Sequence, residues 1–389
     1  MKLLLVTHRF PPSVGGMENQ CYELYKGLSL KYQVVLCSMP QKASHIWFLL
    51  SLKSRIKKTL KNNPDITHVY FNDALIATAA PAVKKISDKI HTIATVHGLD
   101  VVYPSVIYQK KIIGNLNRSI DTVVAVSQAT ADECVKRGIA KEKVVVVPNG
   151  VDLTIKDIPT NAEFNPQQIS PFLPDLKNKK ILVSIGRSVR RKGVSWFLRS
   201  VVPKLGDDYF YIIVGPPQKK LKLFRFLFFI LPSKISRLIE LSGIAIDQVE
   251  VMSLLKREDI KNRAAYVGKI PFDKMVQLLR CSTAFVMPNV HVEGDAEGFG
   301  LVALEAVING TVALVSELEG ITEAIRDEEN GFYVESESVS DWIGKIRYIS
   351  SPDFNRTNFT DKAVKYTCQN FSWDKMVEGY SCLLKNGKE

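Results

Sequence analysis

The sequence predicts an α/β protein made of two Rossmann-like domains facing a central cleft, and three observations predict it. First, apolar runs recur at Leu3–Val6, Val34–Leu36, Ile66–Tyr70, Thr92–Val96, Val123–Val126 and Val144–Val147. They are continuous and rich in Val and Ile, as expected of parallel strands buried on both faces. Second, helix-like stretches such as Met17–Leu30 and Thr130–Arg137 stand between them, giving the βαβα succession of a doubly wound sheet. Third, the pattern stops and then restarts. From Asn149 to Lys179 the chain is polar and punctuated by Pro159, Pro166, Pro171 and Pro174, like a linker. Beyond it, Ile181–Ile185, Tyr211–Val214, Ala284–Met287 and Val312–Val315 read as strands, with helices such as Val194–Val202 and Leu301–Val307 between them. The domains are expected over residues 1–165 and 175–370, and 389 residues suit two cores.

Composition narrows the class. Hydrophobic residues make up 46% and charged residues 24%, which excludes a disordered chain, a collagen-like chain or a coiled coil. No apolar run approaches the roughly 20 residues needed to cross a bilayer. The longest, Leu221–Leu231, is interrupted by Lys222 and Arg225. The opening MKLLLVTHRF is too short for a signal-peptide core and reads as a buried first strand, so a cytosolic chain is expected. The six cysteines are scattered without a CxxC pair, as in a reducing compartment. There is no HExxH and no DxD, so no metal site is expected.

The net charge of +12 is concentrated rather than spread. Residues 44–63 carry Lys53, Arg55, Lys57, Lys58 and Lys61 with no acid; residues 216–237 carry six cations with no acid. Such segments suit an anionic surface or substrate. No nucleic-acid recognition motif accompanies them, and nucleic acid is not an expected partner. The first segment also holds Trp47 and Phe48, and the second holds Phe224 beside Arg225. Aromatic residues among cations suit a bilayer interface, so Trp47, Phe48, Lys53, Arg55, Lys57, Lys58, Phe224 and Arg225 are expected to dock the protein peripherally on an anionic membrane.

Three places carry chemistry. Gly15 and Gly16 follow the first strand and open a helix, where backbone N–H groups can meet an anion. At the matching place in the second half stands Gly186-Arg187-Ser188-Val189-Arg190-Arg191-Lys192-Gly193. Four cations beside a helix start repel one another and the helix dipole, and a bound diphosphate would relieve that repulsion. The third place is Glu297-Gly298-Phe299-Gly300-Leu301-Val302-Ala303-Leu304-Glu305. Gly298 and Gly300 expose backbone N–H groups at a helix start. Glu305 would sit on a largely apolar helix, where a carboxylate needs a partner.

The spacing of Glu297 and Glu305, within EGFGLVALEA, resembles the EX7E motif of family-4 retaining glycosyltransferases of the GT-B fold. PPSVGGMEN, TVHGLD, VAVSQATADECV, VVPNGVD and GRSVRRKG resemble the family's successive landmarks. FSWDKMVEGY resembles its C-terminal helix, which implies that residues 371–389 cross back onto the first domain. The resemblance implies a retaining sugar transferase with a nucleoside diphosphate sugar as donor, a lipid-linked or cell-surface glycan as acceptor, and no cofactor. It implies that Arg187 and Lys192 hold the diphosphate, that Glu305 binds the ribose, and that Glu297 lies beside the transferred sugar with the Gly298, Phe299 and Gly300 amides. His97 falls on the cleft histidine, and Gly16 on the loop beside the diphosphate. Other GT-B enzymes, such as an epimerase or a phosphorylase-like enzyme, and a non-catalytic glycan-assembly subunit remain alternatives, because function lives in the site and not in the fold. The 48 residues between Pro216 and Ala265 exceed what the family resemblance implies.

Overall fold

The computed structural model describes residues 1–386 except 14, 42, 159–164, 219–230, 232, 242 and 243. The chain divides into two units: Met1–Val151 together with Phe371–Glu389, and Asp152–Asn370. The first unit is built on a six-stranded parallel sheet in the order β2-β1-β3-β4-β5-β6. Its strands are β1 (Lys2–Thr7), β2 (Gln33–Ser38), β3 (Ile66–Phe71), β4 (His91–Val96), β5 (Thr122–Ala125) and β6 (Val144–Val146). Helices α1 (Gly16–Ser29), α2 (His45–Asn62) and α3 (Gln128–Lys136) connect them.

Each face of this sheet has its own core. On one face α2 buries Phe48, Leu52, Ile56 and Leu60, one residue per turn, against Leu4, Val69 and Phe71. Ser44 caps this helix by accepting the N–H of Trp47 at 3.1 Å. On the other face Leu24 and Leu28 of α1 meet Met376, Val377 and Tyr380 of the C-terminal helix, Trp373–Asn386. A Cβ at Gly27 would collide with Val377, so glycine is what lets these two helices approach. The buried Tyr380 hydroxyl lies 2.7 Å from Thr95 Oγ1, which is 2.8 Å from the Tyr70 hydroxyl. Tyr70 in turn donates to Asn72 Oδ1 at 3.0 Å, so these buried polar groups answer one another.

The second unit holds another six-stranded parallel sheet in the order β12-β11-β10-β7-β8-β9. The strands are β7 (Lys180–Ile185), β8 (Tyr209–Val214), β9 (Ala264–Gly268), β10 (Ala284–Met287), β11 (Ala313–Ser316) and β12 (Phe332–Val334). Helices α4 (Val194–Ser200) and α5 (Leu301–Ile308) follow β7 and β10. Trp342, fully buried, packs edge-on against Phe197 of α4. The boundary falls at Val151/Asp152, earlier than the proline-rich stretch suggests. The reason is Arg280, whose guanidinium donates to the carbonyls of Ile155, Lys156 and Ile158 and so ties this stretch to the second unit. Among the described residues no helix is long and apolar enough to cross a membrane.

Candidate functional site

In the second sheet β7 is the strand from which the chain winds both ways, through β8 to β9 and through β10 to β12. Loops leaving β7 and β10 therefore part company, and ligands bind such sheets beyond the strands' carboxyl ends at this point. A narrow crevice opens there, lined by Gly186, Arg187, Lys192, Met287, Pro288 and Asn289. Gly193 shapes it. Its φ of 63° lies in the left-handed region, and a Cβ would strike the Pro288 carbonyl oxygen. Only glycine lets the loop after β7 lie against the loop after β10.

The cations of this loop do not face one another uncompensated, as the sequence suggests. Arg190 pairs with Glu240 at 3.3 Å. Arg191 donates from Nε to Asp295 Oδ1 at 3.0 Å and from Nη1 to Glu297 Oε2. Lys192 Nζ lies 2.6 Å from the same Glu297 oxygen. The structure thus joins Lys192 to Glu297 directly. Burial works against the Glu297 carboxylate, but Arg191 and Lys192 outweigh it and hold its pKa down at about 2. Burial and the adjacent Arg191 pull Lys192 below the usual lysine value, against the attraction of Glu297. The backbone N–H of Glu297 donates to Glu319 Oε2 at 2.8 Å, which fixes the loop from the other side. Arg187 is exposed and lines the same crevice as Lys192.

Gly300, with φ 84°, caps α5, and the buried Phe299 stands just before it. Together with Gly298, these residues carry the amides that precede the helix. Glu305 lies one turn into α5. Burial, followed by the charge of Asp152, pushes its pKa up to about 7. Among the described residues no cation or hydrogen-bond donor meets its carboxylate. Also among the described residues, no cluster of three or more His, Cys, Asp and Glu is arranged to hold a metal ion.

The other two candidate residues belong to the first unit. Gly16 is the first residue of α1. His97 directly follows β4; its N–H donates to Asp100 Oδ1 at 2.7 Å and its Nε2 lies 2.8 Å from the Asn72 carbonyl oxygen. A carbonyl only accepts, so Nε2 carries the proton and, in the neutral ring, Nδ1 is the acceptor. Beside it at the same sheet edge, His8 Nδ1 lies 2.9 Å from Asp73 Oδ2, close but poorly aligned for a hydrogen bond. Burial opposes ionisation of Asp73, yet His8, the Ile76 N–H and His97 bring it below the ordinary value. Burial instead drives Asp100 upward, although the charge and N–H of His97 favour its ionised form. The two carboxyls are thereby shifted in opposite directions at one end of the sheet.

The proposed docking residues divide. Trp47, Lys53, Lys57 and Lys58 are exposed on α2, and Arg55 lies over the Trp47 ring, 4.6 Å from its centroid. Phe48 is fully buried, because the helical period puts it on the stripe with Leu52 and Ile56; it is a core residue and not a docking residue. Phe224 and Arg225 lie outside the described residues.

Sequence reasoning singled out neither Arg191, Asp295 and Glu319 nor His8, Asp73 and Asp100. Asp295 stands two residues before Glu297, and His8 directly follows its strand just as His97 does. Those were the available signals; the pairing itself is tertiary.

Both units are similar to known proteins. Residues 14–155 match the model of Glycosyltransferase Family 4, and residues 167–366, half of the chain, match that of Glycosyl transferases group 1. A D-inositol 3-phosphate glycosyltransferase of Acidothermus cellulolyticus is 30% identical over 31% of this chain and 25% of its own. An N-acetyl-alpha-D-glucosaminyl L-malate synthase of Bacillus anthracis is 24% identical over 87% of this chain and 81% of its own. The match covers between a quarter and just over half of the length of the first relatives. Among solved structures, Anabaena HepE in complex with UDP-glucose superposes with a TM-score of 0.75 at 16% identity, covering 99% of this chain and 100% of that one. A sucrose-phosphate synthase from Thermosynechococcus elongatus gives 0.74 at 16% identity, over 99% and 98%. The chain belongs to the family-4 glycosyltransferases and has their two-domain GT-B fold.

Proposed function

We propose that this protein is a retaining glycosyltransferase that moves a sugar from a nucleoside diphosphate sugar to a lipid-linked or cell-surface acceptor at the anionic inner face of a membrane, without a metal ion. The observation that carries the reading is the crevice beyond β7 and β10, where Arg187 and Lys192 stand at the place such sheets use for phosphate. UDP-glucose is the first donor to try, since a neighbour of the same fold is seen with it. A diphosphate entering beside Arg187 competes with Glu297 for Lys192. Its charge then meets two cations and the amides of Gly298, Phe299 and Gly300, while Glu297 turns to the sugar hydroxyls. As the bond from the anomeric carbon to the diphosphate oxygen breaks, these fixed groups stabilise the negative charge that develops on the leaving group. The acceptor oxygen attacks from the same face and its proton passes to the leaving phosphate. Glu305 receives the ribose hydroxyls, and His97 and Gly16 keep the sugar and acceptor roles that the family resemblance implies.

Relatives named for inositol 3-phosphate and malate favour a second reading, a small anionic acceptor. The test is a panel of nucleotide sugars with isolated membrane lipids or with small anions as acceptors, and NMR of the product's anomeric centre. Retained configuration on a lipid product supports the proposal. Inversion overturns the retaining mechanism, and transfer only to a small anion overturns the lipid acceptor.

A further inference from the structure

One face of α2 combines exposed apolar residues with cations. Its inward stripe, Phe48, Leu52, Ile56 and Leu60, is buried, so the opposite stripe faces outward. That stripe begins with Ile46, Trp47 and Leu50, which are 73%, 49% and 81% exposed. It continues with Lys53, Lys57, Lys58 and Lys61, all exposed. No acid occurs between residues 44 and 63. None of the four lysines has an ion pair within the described residues. Arg55 folds over Trp47, adding a cation to the most apolar part of the stripe.

A second exposed apolar point lies in the same unit. Val106 and Ile107 are 68% and 69% exposed and are followed by the exposed Lys110 and Lys111. They are held firmly: Ser105 caps their turn, the Tyr108 hydroxyl donates to the Asp100 carbonyl at 2.8 Å, and Gln109 donates to the carbonyls of Val101 and Tyr103. Val101, Ile112 and Ile113, which flank this turn, belong to the same core cluster as the buried stripe of α2. Both apolar points therefore lie on one face of the first sheet. Each also follows the carboxyl end of a strand, β2 for α2 and β4 for Val106. His45, which opens α2, stacks edge-on with His8, 5.5 Å between ring centres. The apolar start of α2 is thus next to the sheet edge that carries His8, Asp73 and His97.

We propose that Ile46, Trp47, Leu50, Val106 and Ile107, with the lysines beside them, form a surface that seats this edge of the first unit on an anionic lipid bilayer. Apolar and aromatic side chains enter the interface while the lysines meet acidic headgroups. Charge decides the occupant: a cationic stripe without acids complements anionic headgroups, whereas a second copy of the same stripe would repel it. Resting on the transferase reading, this brings a lipid-anchored acceptor to the edge where His97 stands, so it enters from the membrane and not from bulk water.

The test is flotation of the protein with vesicles of phosphatidylcholine containing phosphatidylglycerol, whose acidic headgroups attract polybasic segments. Wild type is expected to float at low salt and to be released at high salt, with the emission of Trp47 shifting to the blue on binding. Replacing Lys53, Lys57, Lys58 and Lys61 by Gln should lower the partition about fivefold per lysine. Ile46→Gln, Trp47→Gln and Leu50→Gln together, or Val106→Gln with Ile107→Gln, should abolish or sharply weaken it. All these positions are exposed, and unchanged thermal unfolding will show that the variants fold. Equal binding to pure phosphatidylcholine, no binding at low salt, or wild-type flotation of the lysine variant would each overturn the proposal. Salt-insensitive self-association that the Ile46/Trp47/Leu50 variant abolishes would also overturn it, in favour of an interface between copies. Flotation needs neither donor nor acceptor, so its failure leaves the transferase reading standing. Absent sugar transfer, conversely, leaves the docking result standing.

Discussion

Glu305→Gln is expected to stabilise the protein above neutral pH while weakening donor binding. The carboxyl sits on an apolar helix with Asp152 for company, and its pKa is raised from 4.5 to about 7. Because the folded value lies above the unfolded one, the native state holds the proton longer than the unfolded state does between those values. Stability therefore falls as pH rises from about 4.5 to 7, and levels off beyond. At about 1.4 kcal/mol per unit, the two and a half units amount to about 3 kcal/mol at pH 8, an upper figure for a side chain with some access to water. Glutamine mimics the protonated acid and should remove that fall. The two proteins should match near pH 4.5 and differ by about 2–3 kcal/mol at pH 8 in urea unfolding with equal slopes. The same carboxylate, once ionised, is the group proposed to take the ribose hydroxyls. Donor affinity of the wild type should then rise with pH up to about 7, by as much as tenfold per unit, and calorimetry in buffers of different ionisation enthalpy should detect a proton released on binding. A nucleotide sugar is the right ligand, since its diphosphate does not titrate in this range. The reasoning fails if the stability difference between the proteins is constant from pH 4.5 to 8, or if donor affinity has the same pH profile in both.

Neutralising Arg187 and Lys192 together should cost more affinity for a nucleoside diphosphate than for the bare nucleoside; equal losses in calorimetry would remove the diphosphate from this crevice. Glu297→Ala should lower turnover more than donor affinity, because it frees Lys192 for the diphosphate while removing the group proposed to face the sugar. Arg191→Met should destabilise the second unit by about 3–5 kcal/mol, since Asp295 and Glu297 lose a buried partner, and a change below about 1 kcal/mol in chemical unfolding would contradict that. Gly193→Ala should destabilise by at least about 1–3 kcal/mol, the scale of backbone strain at a left-handed residue, and should also perturb donor binding through Pro288.

Much of the fold was legible because buried parallel strands leave an unmistakable pattern. Tyr211–Val214 and Ala284–Met287 are apolar at every position, since both faces of the sheet are covered. β9 and β12 were not anticipated. One is Ala-Ala-Tyr-Val-Gly and partly exposed, the other only Phe-Tyr-Val, and they form the two edges of the second sheet. In α2 the charge pattern is plain from composition, whereas the burial of Phe48 follows only from the helical phase it shares with Leu52 and Ile56. At the candidate site, single residues could be named from local spacing, whereas the Arg191–Asp295–Glu297 pairing joins positions about a hundred residues apart and leaves no local trace.

The C-terminal helix gives the first unit an unusual birth. Residues 1–151 emerge from the ribosome early, yet the helix that covers Leu24, Leu28 and Tyr70 is made only after about 220 residues of the second unit. At ordinary rates of synthesis that interval is on the order of 10–40 s. Throughout it the nascent first unit shows water an apolar sheet face and the hydroxyls of Tyr70 and Thr95, lacking Tyr380 to answer them. The second unit, continuous in sequence, can close on itself during the same interval. Its folding thus precedes completion of the first unit, reversing the usual order for a two-domain chain, and the unfinished face is a natural target for chaperones while translation continues.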